Sequence, residues 1–141
     1  MTVHQISIFL ENKYGKLNEV LSLLANENIR IIAATIADTS EFGIMRMIVS
    51  EPEKAYKILK SNNVSANLTD VLAIVTESRA GSFANVLNLF TKAGLNIEYM
   101  YCFSIKEKSI LIIRTNNREN AREVIRRQNL DYICENDLIN L

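Results

Sequence analysis

The sequence predicts an α+β fold in which one βαββαβ unit occurs twice in tandem. Two observations support this prediction: the chain aligns with itself without a gap after a shift of 66 residues, and the hydrophobic period changes in the same order in each copy. The copies are predicted to cover residues 1–69 and 70–141, with no Pro-, Gly- or Ser-rich linker between them. The missing linker favours two units that pack together over two that move independently.

The repeat is visible as identical residues along the whole self-alignment. They include Ile8/Ile74, Glu11/Glu77, Gly15/Gly81, Val20/Val86, Leu21/Leu87, Ile31/Ile97, Ile44/Ile110 and Ala55/Ala121. Most other apolar positions match by residue type, as Leu17 does with Phe83. A register held over this length indicates that one structural unit has been duplicated.

The first half of each unit is predicted to be a strand, a helix and a second strand. Residues Gln5–Leu10 alternate with period two, which is typical of a strand. Apolar residues then recur at i, i+3, i+4 and i+7 from Leu17 and from Phe83, which indicates one apolar face of a helix. Asn28 and Gly94 are placed to end these helices, because both tolerate the left-handed conformation. The second strands follow at residues 29–38 and 95–104, which are rich in β-branched or aromatic side chains.

The second half of each unit is predicted to be a third strand, a helix and a closing strand. Polar turns at Thr39–Gly43 and Ile105–Lys108 lead into third strands at residues 44–50 and 109–115. The next helix begins at Pro52 in the first copy, where the missing N–H has no cost. The closing strands are predicted at Val64–Leu68 and Leu130–Cys134.

This order of elements is that of the ferredoxin-like fold, an antiparallel four-stranded sheet with both helices on one face. A unit of 66 residues buries a small share of its surface and gains stability from packing. The stripe of Tyr99, Tyr101 and Phe103 adds apolar surface to the second strand of the second copy. We therefore expect the units to cover each other and the chain to form a homodimer.

Composition narrows the function classes. Sixteen basic residues balance sixteen acidic ones, so the net charge does not attract nucleic acid or anionic membranes. The sequence shows no signal peptide and no apolar run of roughly 18 residues that would span a bilayer. Cys102 and Cys134 are expected to be small buried residues in a reducing compartment, which predicts the cytoplasm. With one histidine and no metal-ligand spacing, we expect no metal site and no cofactor.

The order of elements, with a strand that runs into ENKYGKL or ESRAGSF, resembles the ACT domain family of small-molecule regulatory modules. The resemblance covers essentially the whole chain as two tandem ACT-like units. It implies a stand-alone, non-enzymatic sensor that binds an amino acid at an interface between units and modulates a partner such as an enzyme. Tyr14 and Ala80 stand where the family usually has proline. Leu10 and Thr76 stand where serine-sensing members carry histidine.

The chemistry of the two junctions agrees with this implication. A helix N-terminus offers unpaired N–H groups to a carboxylate, glycine allows a ligand close to the backbone, and asparagine supplies a donor and an acceptor. Arg30 and Asn96 correspond to a family position that can face the ligand. The candidate ligand-binding residues are Asn12, Tyr14, Gly15, Lys16, Leu17 and Arg30 in the first unit, and Ser78, Gly81, Ser82, Phe83 and Asn96 in the second. If one junction binds, Asn12 favours the first.

Alternative interpretations stay open. Gly15 and Gly81 also suit a tight turn with no ligand, and Asn12 and Ser78 stand where helix-capping residues belong. For the whole chain, the main alternative is a ligand-free assembly module. An enzyme is not supported, because no nucleophile–base pair is present. An RNA-binding domain of the same βαββαβ order is not supported either, because the third strands lack its aromatic motif. The sequence does not identify the ligand, the occupied junction or the partner.

Overall fold

The computed structural model describes residues 1–11, 13–38 and 41–141. The chain divides into two units, and each takes a short terminal segment from the other half of the sequence. The first unit consists of His4–Thr69 with Leu138–Leu141. The second unit consists of Met1–Val3 with Asp70–Asp137. Each unit therefore needs residues from both copies of the repeat.

The first unit has the predicted βαββαβ order. Its elements are β1 (Val3–Glu11), α1 (Lys16–Asn26), β2 (Ile31–Asp38), β3 (Phe42–Val49), α2 (Pro52–Ser61) and the beginning of β4 (Ala66–Glu77). The strands are ordered β2-β3-β1-β4, and β3 pairs antiparallel with both β1 and β2. Pro52 lies in the first turn of α2, as predicted.

The second unit repeats this order with one change at its end. Its elements are the remainder of β4, α3 (Ser82–Lys92), β5 (Ile97–Ile105), β6 (Lys108–Thr115) and α4 (Arg118–Arg127), and the helix α5 (Glu135–Ile139) follows. The strands are ordered β4-β6-β5, and β6 pairs antiparallel with both neighbours.

Two predicted strand boundaries are wrong. The closing strand predicted at Val64–Leu68 does not stop there, because it continues as β4 into the first strand of the second copy. The closing strand predicted at Leu130–Cys134 is reduced to a bridge between Tyr132 and Ile74. This segment makes the same first contact as its counterpart: Val75 N–H donates to Asp131 O at 2.9 Å, as Phe9 N–H donates to Ser65 O at 3.0 Å.

The second unit loses its closing strand because the chain turns into a helix instead. After Ile133 N–H donates to Ala73 O at 3.0 Å, α5 begins at Glu135 with two acidic residues in its first turn, a composition that favours a helix start. The sequence analysis missed α5. Leu138 of this helix is fully buried in the first unit.

The predicted turns are narrower in the structure. Ile105 and Lys108 pair with each other, so only two residues connect β5 to β6. β3 already begins at Phe42, within the predicted turn Thr39–Gly43, and Thr39 and Ser40 lie outside the described residues.

The expectation that both cysteines are buried is wrong. Cys102 is exposed and Cys134 is partly exposed. Cys102 lies on β5, which is the last strand of the second unit's order and has β6 as its neighbour there. A strand in this position leaves one long side accessible to water. Tyr99, Tyr101 and Phe103 on the same strand are half-buried.

All four long helices end in one way, with a left-handed residue whose successor donates its N–H back across the last turn. These left-handed residues are Asn28, Asn63, Gly94 and Asn129. In α3, Leu95 N–H donates to Phe90 O at 3.0 Å and Gly94 N–H to Thr91 O at 2.9 Å, which is a Schellman motif. The prediction that Asn28 and Gly94 end their helices is confirmed.

Each unit has its own hydrophobic core between its helices and its strands. The first core includes the fully buried side chains Ile6, Ile8, Leu24, Met47 and Leu59. The second core includes the fully buried side chains Ile74, Phe90, Leu111 and Ile113. Leu24 and Phe90 are counterparts under the 66-residue shift, so the two cores are built on equivalent helix positions.

Candidate functional site

Both strand-to-helix junctions have the same backbone geometry. Gly15 precedes α1 with a φ of 81°, and Gly81 precedes α3 with a φ of 86°. A Cβ added at either glycine would meet no described atom within 4 Å. The left-handed backbone, and not crowding, therefore requires glycine at these positions.

The first helical turn after each glycine leaves backbone donors unused. In the described part of the chain, no acceptor pairs with the N–H groups of Leu17 and Asn18 in α1, or with those of Phe83 and Ala84 in α3. These groups carry the partial positive charge of a helix N-terminus. They are suited to an oxyanion such as a carboxylate.

Ion pairs neutralise the side chains of the first junction. Lys13 Nζ lies 2.7 Å from a carboxylate oxygen of Glu11, and Lys16 Nζ lies 3.5 Å from one of Glu19. The hydrogen bond and the charge of Lys13 lower the pKa of Glu11, and the same contacts with Glu11 raise the pKa of Lys13. The two lysines nearest to Gly15 in the sequence are therefore both paired with an acid.

A small cavity of about 130 Å³ lies between this junction and the ends of β2 and β3. It is lined by Leu10, Glu11, Lys13, Leu17, Ile36, Asp38 and Gly43. Of the residues predicted to bind ligand, it includes Leu17. Asn12 falls outside the described residues, and Tyr14 is fully exposed.

A larger groove of about 640 Å³ runs along another side of α1. Amide and hydroxyl side chains dominate its polar lining: Asn18, Ser22, Asn26, Asn62, Asn63 and Ser65. All six of these residues are exposed. Gly15 and Lys16 line this groove and not the 130 Å³ cavity, so the structure separates the predicted first-unit residues into two places.

The second junction brings three predicted residues to one cavity. Ser78, Gly81 and Phe83 line a space of about 420 Å³, which also includes Arg79, Ala84 and Ser109. Ser82 is buried and is not part of this lining. The α3 N-cap is Gly81, so the capping role considered for Ser78 is not observed. Instead, the Ser78 N–H donates to Glu107 O at 3.0 Å.

Ser109 is a buried polar residue at this cavity. It is 3% exposed and points to the same side of β6 as Leu111 and Ile113, which belong to the second core. Among the residues that the structure describes, none forms a hydrogen bond with its hydroxyl. The hydroxyl oxygen is not one of the fully buried unpaired atoms of the described residues, so it keeps accessible surface beside the cavity, where a ligand or water can reach it.

Arg79 occupies the position of Lys13 in the repeat but has no ion pair with any described acid. The nearby Glu77 is paired with Lys108 instead. The hydrogen bond and charge of Lys108 lower the pKa of Glu77. The hydrogen bond to Glu77, with the charges of Glu107 and Asp131, raises the pKa of Lys108. The charge of Arg79 also lowers the pKa of Glu77, but its guanidinium forms no ion pair among the described residues and lines the cavity.

Arg30 and Asn96 line neither junction cavity, and their backbones have equivalent structural contacts. Arg30 N–H donates to Ser50 Oγ at 2.9 Å, and Asn96 N–H donates to Asn116 Oδ1 at 3.1 Å. The Arg30 guanidinium donates to Ile139 O at the end of α5. These contacts tie the start of the second strand of each unit to the end of its third strand.

Sequence reasoning missed Arg79 and Ser109. The signal was present, because the 66-residue shift pairs Arg79 with Lys13 and Ser109 with Gly43. The sequence does not predict the consequence of these two differences, because the ion pair of Lys13 and the burial of Ser109 depend on the folded chain.

Within the described residues, no group of three or more His, Cys, Asp or Glu side chains is arranged to hold a metal ion. No helix of the described ranges has the length and apolar character needed to cross a lipid bilayer.

A family model described as "ACT domain pair" matches residues 1–141. Protein BT0572 from Bacteroides thetaiotaomicron, a solved structure, is 43% identical with a TM-score of 0.96, over 100% of this chain and 98% of that one. No curated protein matches the chain.

Two further solved structures share the fold at low identity. The ligand-free regulatory subunit of aspartate kinase from Thermus thermophilus is 19% identical with a TM-score of 0.65, over 87% of each chain. Aspartokinase III from E. coli, in complex with lysine and aspartate, is 17% identical with a TM-score of 0.51, over 88% of this chain and 30% of that one.

Proposed function

The chain belongs to the ACT domain pair family, and on that premise we propose that it is a regulatory protein that binds a small amino acid or a related carboxylate at a strand-to-helix junction. The repeated junction is the observation that carries the proposal: a left-handed glycine followed by a helical turn with unused N–H groups. The fold is shared with a structure named as the regulatory subunit of aspartate kinase, which supports a regulatory role.

The proposed mechanism uses the helix N-termini as the seat of the ligand carboxylate. Asn12 or Ser78, at equivalent positions of the repeat, orients the ligand. A neighbouring ACT unit completes the site, so binding shifts the arrangement of units and thereby changes a partner. We propose that the protein acts in the cytoplasm as a homodimer, without catalysis and without a cofactor.

A thermal-shift screen over the amino acids tests the proposal. A specific ligand at a hundredfold its dissociation constant adds about 2.7 kcal/mol to the free energy of unfolding. For a chain of this size, that corresponds to a rise in Tm of roughly 5–10 °C. Amino acids, nucleotides and small organic acids that all leave Tm unchanged would contradict ligand sensing.

The matched variants Asn12→Ala and Ser78→Ala locate the site, because the two positions are equivalent in the repeat. We expect one of them to weaken the ligand found in the screen while the free energy of unfolding stays near that of the wild type. A ligand affinity that neither variant changes would exclude the proposed orienting role.

Assembly without a ligand is the second candidate, and an exposed apolar patch favours it. Phe9 and Phe42 are each 52% exposed. Phe9 lies opposite Ile44, and Glu11 lies opposite Phe42, so the two aromatic side chains are diagonal neighbours on one face of the first unit's sheet. Large exposed apolar residues that lie together are typical of a protein contact.

Light scattering of Phe42→Ser tests whether this patch mediates assembly, and the thermal-shift screen separates the two candidates. If the patch mediates the proposed homodimer, the mass in solution falls to that of one chain. Tyr14→Ser is the control, because Tyr14 is fully exposed and lies outside the patch. A wild-type protein that already has the mass of one chain contradicts the homodimer.

A further inference from the structure

We infer that the second junction is an oxyanion site, which binds the carboxylate or phosphate group of a small acidic ligand through Arg79, Ser109 and the first turn of α3. This inference rests on the proposed function only in placing a ligand at a junction. It requires neither an amino acid nor a regulated partner. It also reverses the sequence-based expectation, which favoured the first junction because of Asn12.

The first argument is the charge that lines each cavity. The cavity of the first junction contains two acids, Glu11 and Asp38, and the paired cation Lys13. The described lining of the second cavity contains Arg79 and no acid. Glu107 and Asp131 are close enough to raise the pKa of Lys108, but neither forms an ion pair with Arg79 among the described residues. An anion in the second cavity therefore meets Arg79, which has no ion pair among the described residues but whose charge lowers the pKa of Glu77. An anion in the 130 Å³ cavity of the first junction meets two carboxylates.

The second argument is the hydroxyl of Ser109, a buried residue whose hydroxyl oxygen keeps accessible surface at the cavity. It lines the cavity at 3% exposure and has no hydrogen-bond partner in the part of the chain that the structure describes. The first unit has Gly43 at the equivalent position, so it offers no side-chain donor there. A hydroxyl in this position can donate to an oxyanion oxygen.

The third argument is that the donors converge from three segments. The loop supplies Arg79 and Ser78, β6 supplies Ser109, and α3 supplies the unused N–H groups of Phe83 and Ala84. A guanidinium, two hydroxyls and a helix N-terminus are the donors that recognise carboxylates and phosphates. The cavity of about 420 Å³ is within the range of small-ligand sites, as is the groove of about 640 Å³ that Gly15 and Lys16 line at the first junction.

Backbone amide chemical shifts test the site directly, because the amide signals of each junction report ligand binding at that junction. The full-length protein is titrated with inorganic phosphate, with succinate and with L-alanine. We expect saturable shifts at Phe83 and Ala84 with phosphate or succinate, at roughly tenfold lower concentration than any shift at Leu17 and Asn18. Phosphate and succinate distinguish the two sources of the oxyanion.

Paired variants add a functional readout. Arg79→Gln is expected to raise the dissociation constant of the effective probe roughly tenfold, because a charge-assisted hydrogen bond is lost. Lys13→Gln, its counterpart in the repeat, is expected to leave that constant unchanged. Ser109→Ala is expected to raise it by a smaller factor, and the unchanged amide spectrum outside the cavity shows that the fold persists.

The outcomes are decisive for the inference. Equal shifts at both junctions, shifts that Arg79→Gln does not weaken, or no saturable shift with any probe would each overturn it. The proposed function fails separately. Phosphate that shifts only the second junction, in a protein that no amino acid stabilises, supports the inference and removes amino-acid sensing. An amino acid that shifts only the amide signals of Leu17 and Asn18 contradicts the inference and supports amino-acid sensing.

Discussion

The two junctions share a backbone and differ in their chemistry. Gly15 and Gly81 have φ angles within a few degrees of each other, at 81° and 86°. Beside that common turn, Lys13 is held by Glu11 at 2.7 Å, whereas Arg79 has no ion pair among the described residues. Duplication therefore preserved the shape of the turn, while substitution at a few neighbouring positions changed the ligand chemistry that each turn can support.

The difference arises because the acid at the same repeat position has a different partner in each unit. Glu11 and Glu77 are identical positions of the repeat, but Glu77 is paired with Lys108 of β6. The position equivalent to Lys108 in the first unit is Phe42, which has no charge. Glu11 pairs with Lys13, whereas Glu77 pairs with Lys108 and is affected by Arg79 only through its charge.

The largest expected effect tests whether the two units rely equally on their cores. Leu24 and Phe90 are equivalent in the repeat, and both are fully buried. Phe90→Ala is expected to cost about 3–5 kcal/mol and Leu24→Ala about 2–5 kcal/mol, because each leaves a cavity. Urea unfolding followed by circular dichroism measures both values. A cost below 1 kcal/mol for either variant would contradict the burial of that side chain.

The next effect tests the shared geometry of the junctions. Gly15→Ala and Gly81→Ala are each expected to cost about 1–2 kcal/mol, because an L side chain is strained at these φ angles. The costs should be similar, since the added Cβ meets no described atom at either place. Gly81→Asn is the control and should cost less, as asparagine tolerates this conformation. Clearly different costs in the two alanine variants would disprove the equivalence.

A smaller effect tests the origin of the difference. Glu11→Gln removes the acid that holds Lys13 and is expected to give the first junction weak phosphate binding, visible as new amide shifts at Leu17 and Asn18. The gain should stay below the affinity of the second junction, because Gly43 supplies no hydroxyl. Unchanged shifts at these two amides would show that the ion pair is not what separates the junctions.

The smallest effect is a pH dependence of stability. The pKa values of Glu11 and Glu77 are lowered in the folded chain by Lys13 and Lys108. The stabilisation is therefore present above the ordinary carboxyl pKa and is lost as the pH falls through the lowered value. The exposure of these groups keeps the contribution small.

Urea unfolding of Glu11→Gln and Glu77→Gln at pH 7 and pH 3 measures this contribution. Each variant should be less stable than the wild type at the higher pH, and the difference should become smaller at the lower one. Glu77→Gln should lose less, because Glu107 and Asp131 remain near Lys108. A difference that is as large at pH 3 as at pH 7 would assign the effect to packing instead of charge.

Much of the fold was predictable because its signals are local. The helix starts follow from Gly15, Pro52 and Gly81, and the helix ends follow from residues that tolerate a left-handed backbone, such as Asn28 and Gly94. The sequence did not predict that Leu130–Cys134 forms a single β-bridge, because apolar and polar residues alternate there as they do in a full strand. Whether such a segment extends a sheet depends on which N–H and C=O groups of a neighbouring strand it can pair with in the folded chain.

The candidate site was predictable only in part, for a related reason. Residue type and spacing predict the glycine turn and the helix N-terminus that follows it. They do not predict that Ser82 is buried away from the cavity while Ser109, from a distant strand, lines it. Side-chain neighbours across a sheet depend on strand register, which a sequence pattern leaves open by one or more residues.

The sequence by itself determined the duplication, the βαββαβ order and the two glycine junctions, because periodicity and backbone conformation are properties of short segments. Only the tertiary structure decided that β4 joins the two copies as one strand and that the last residues, Leu138–Leu141, belong to the first unit. It also decided that Glu77 pairs with Lys108, while Arg79 forms no ion pair among the described residues. These outcomes depend on contacts between residues far apart in the chain, whose energies exist only once the strands are in register.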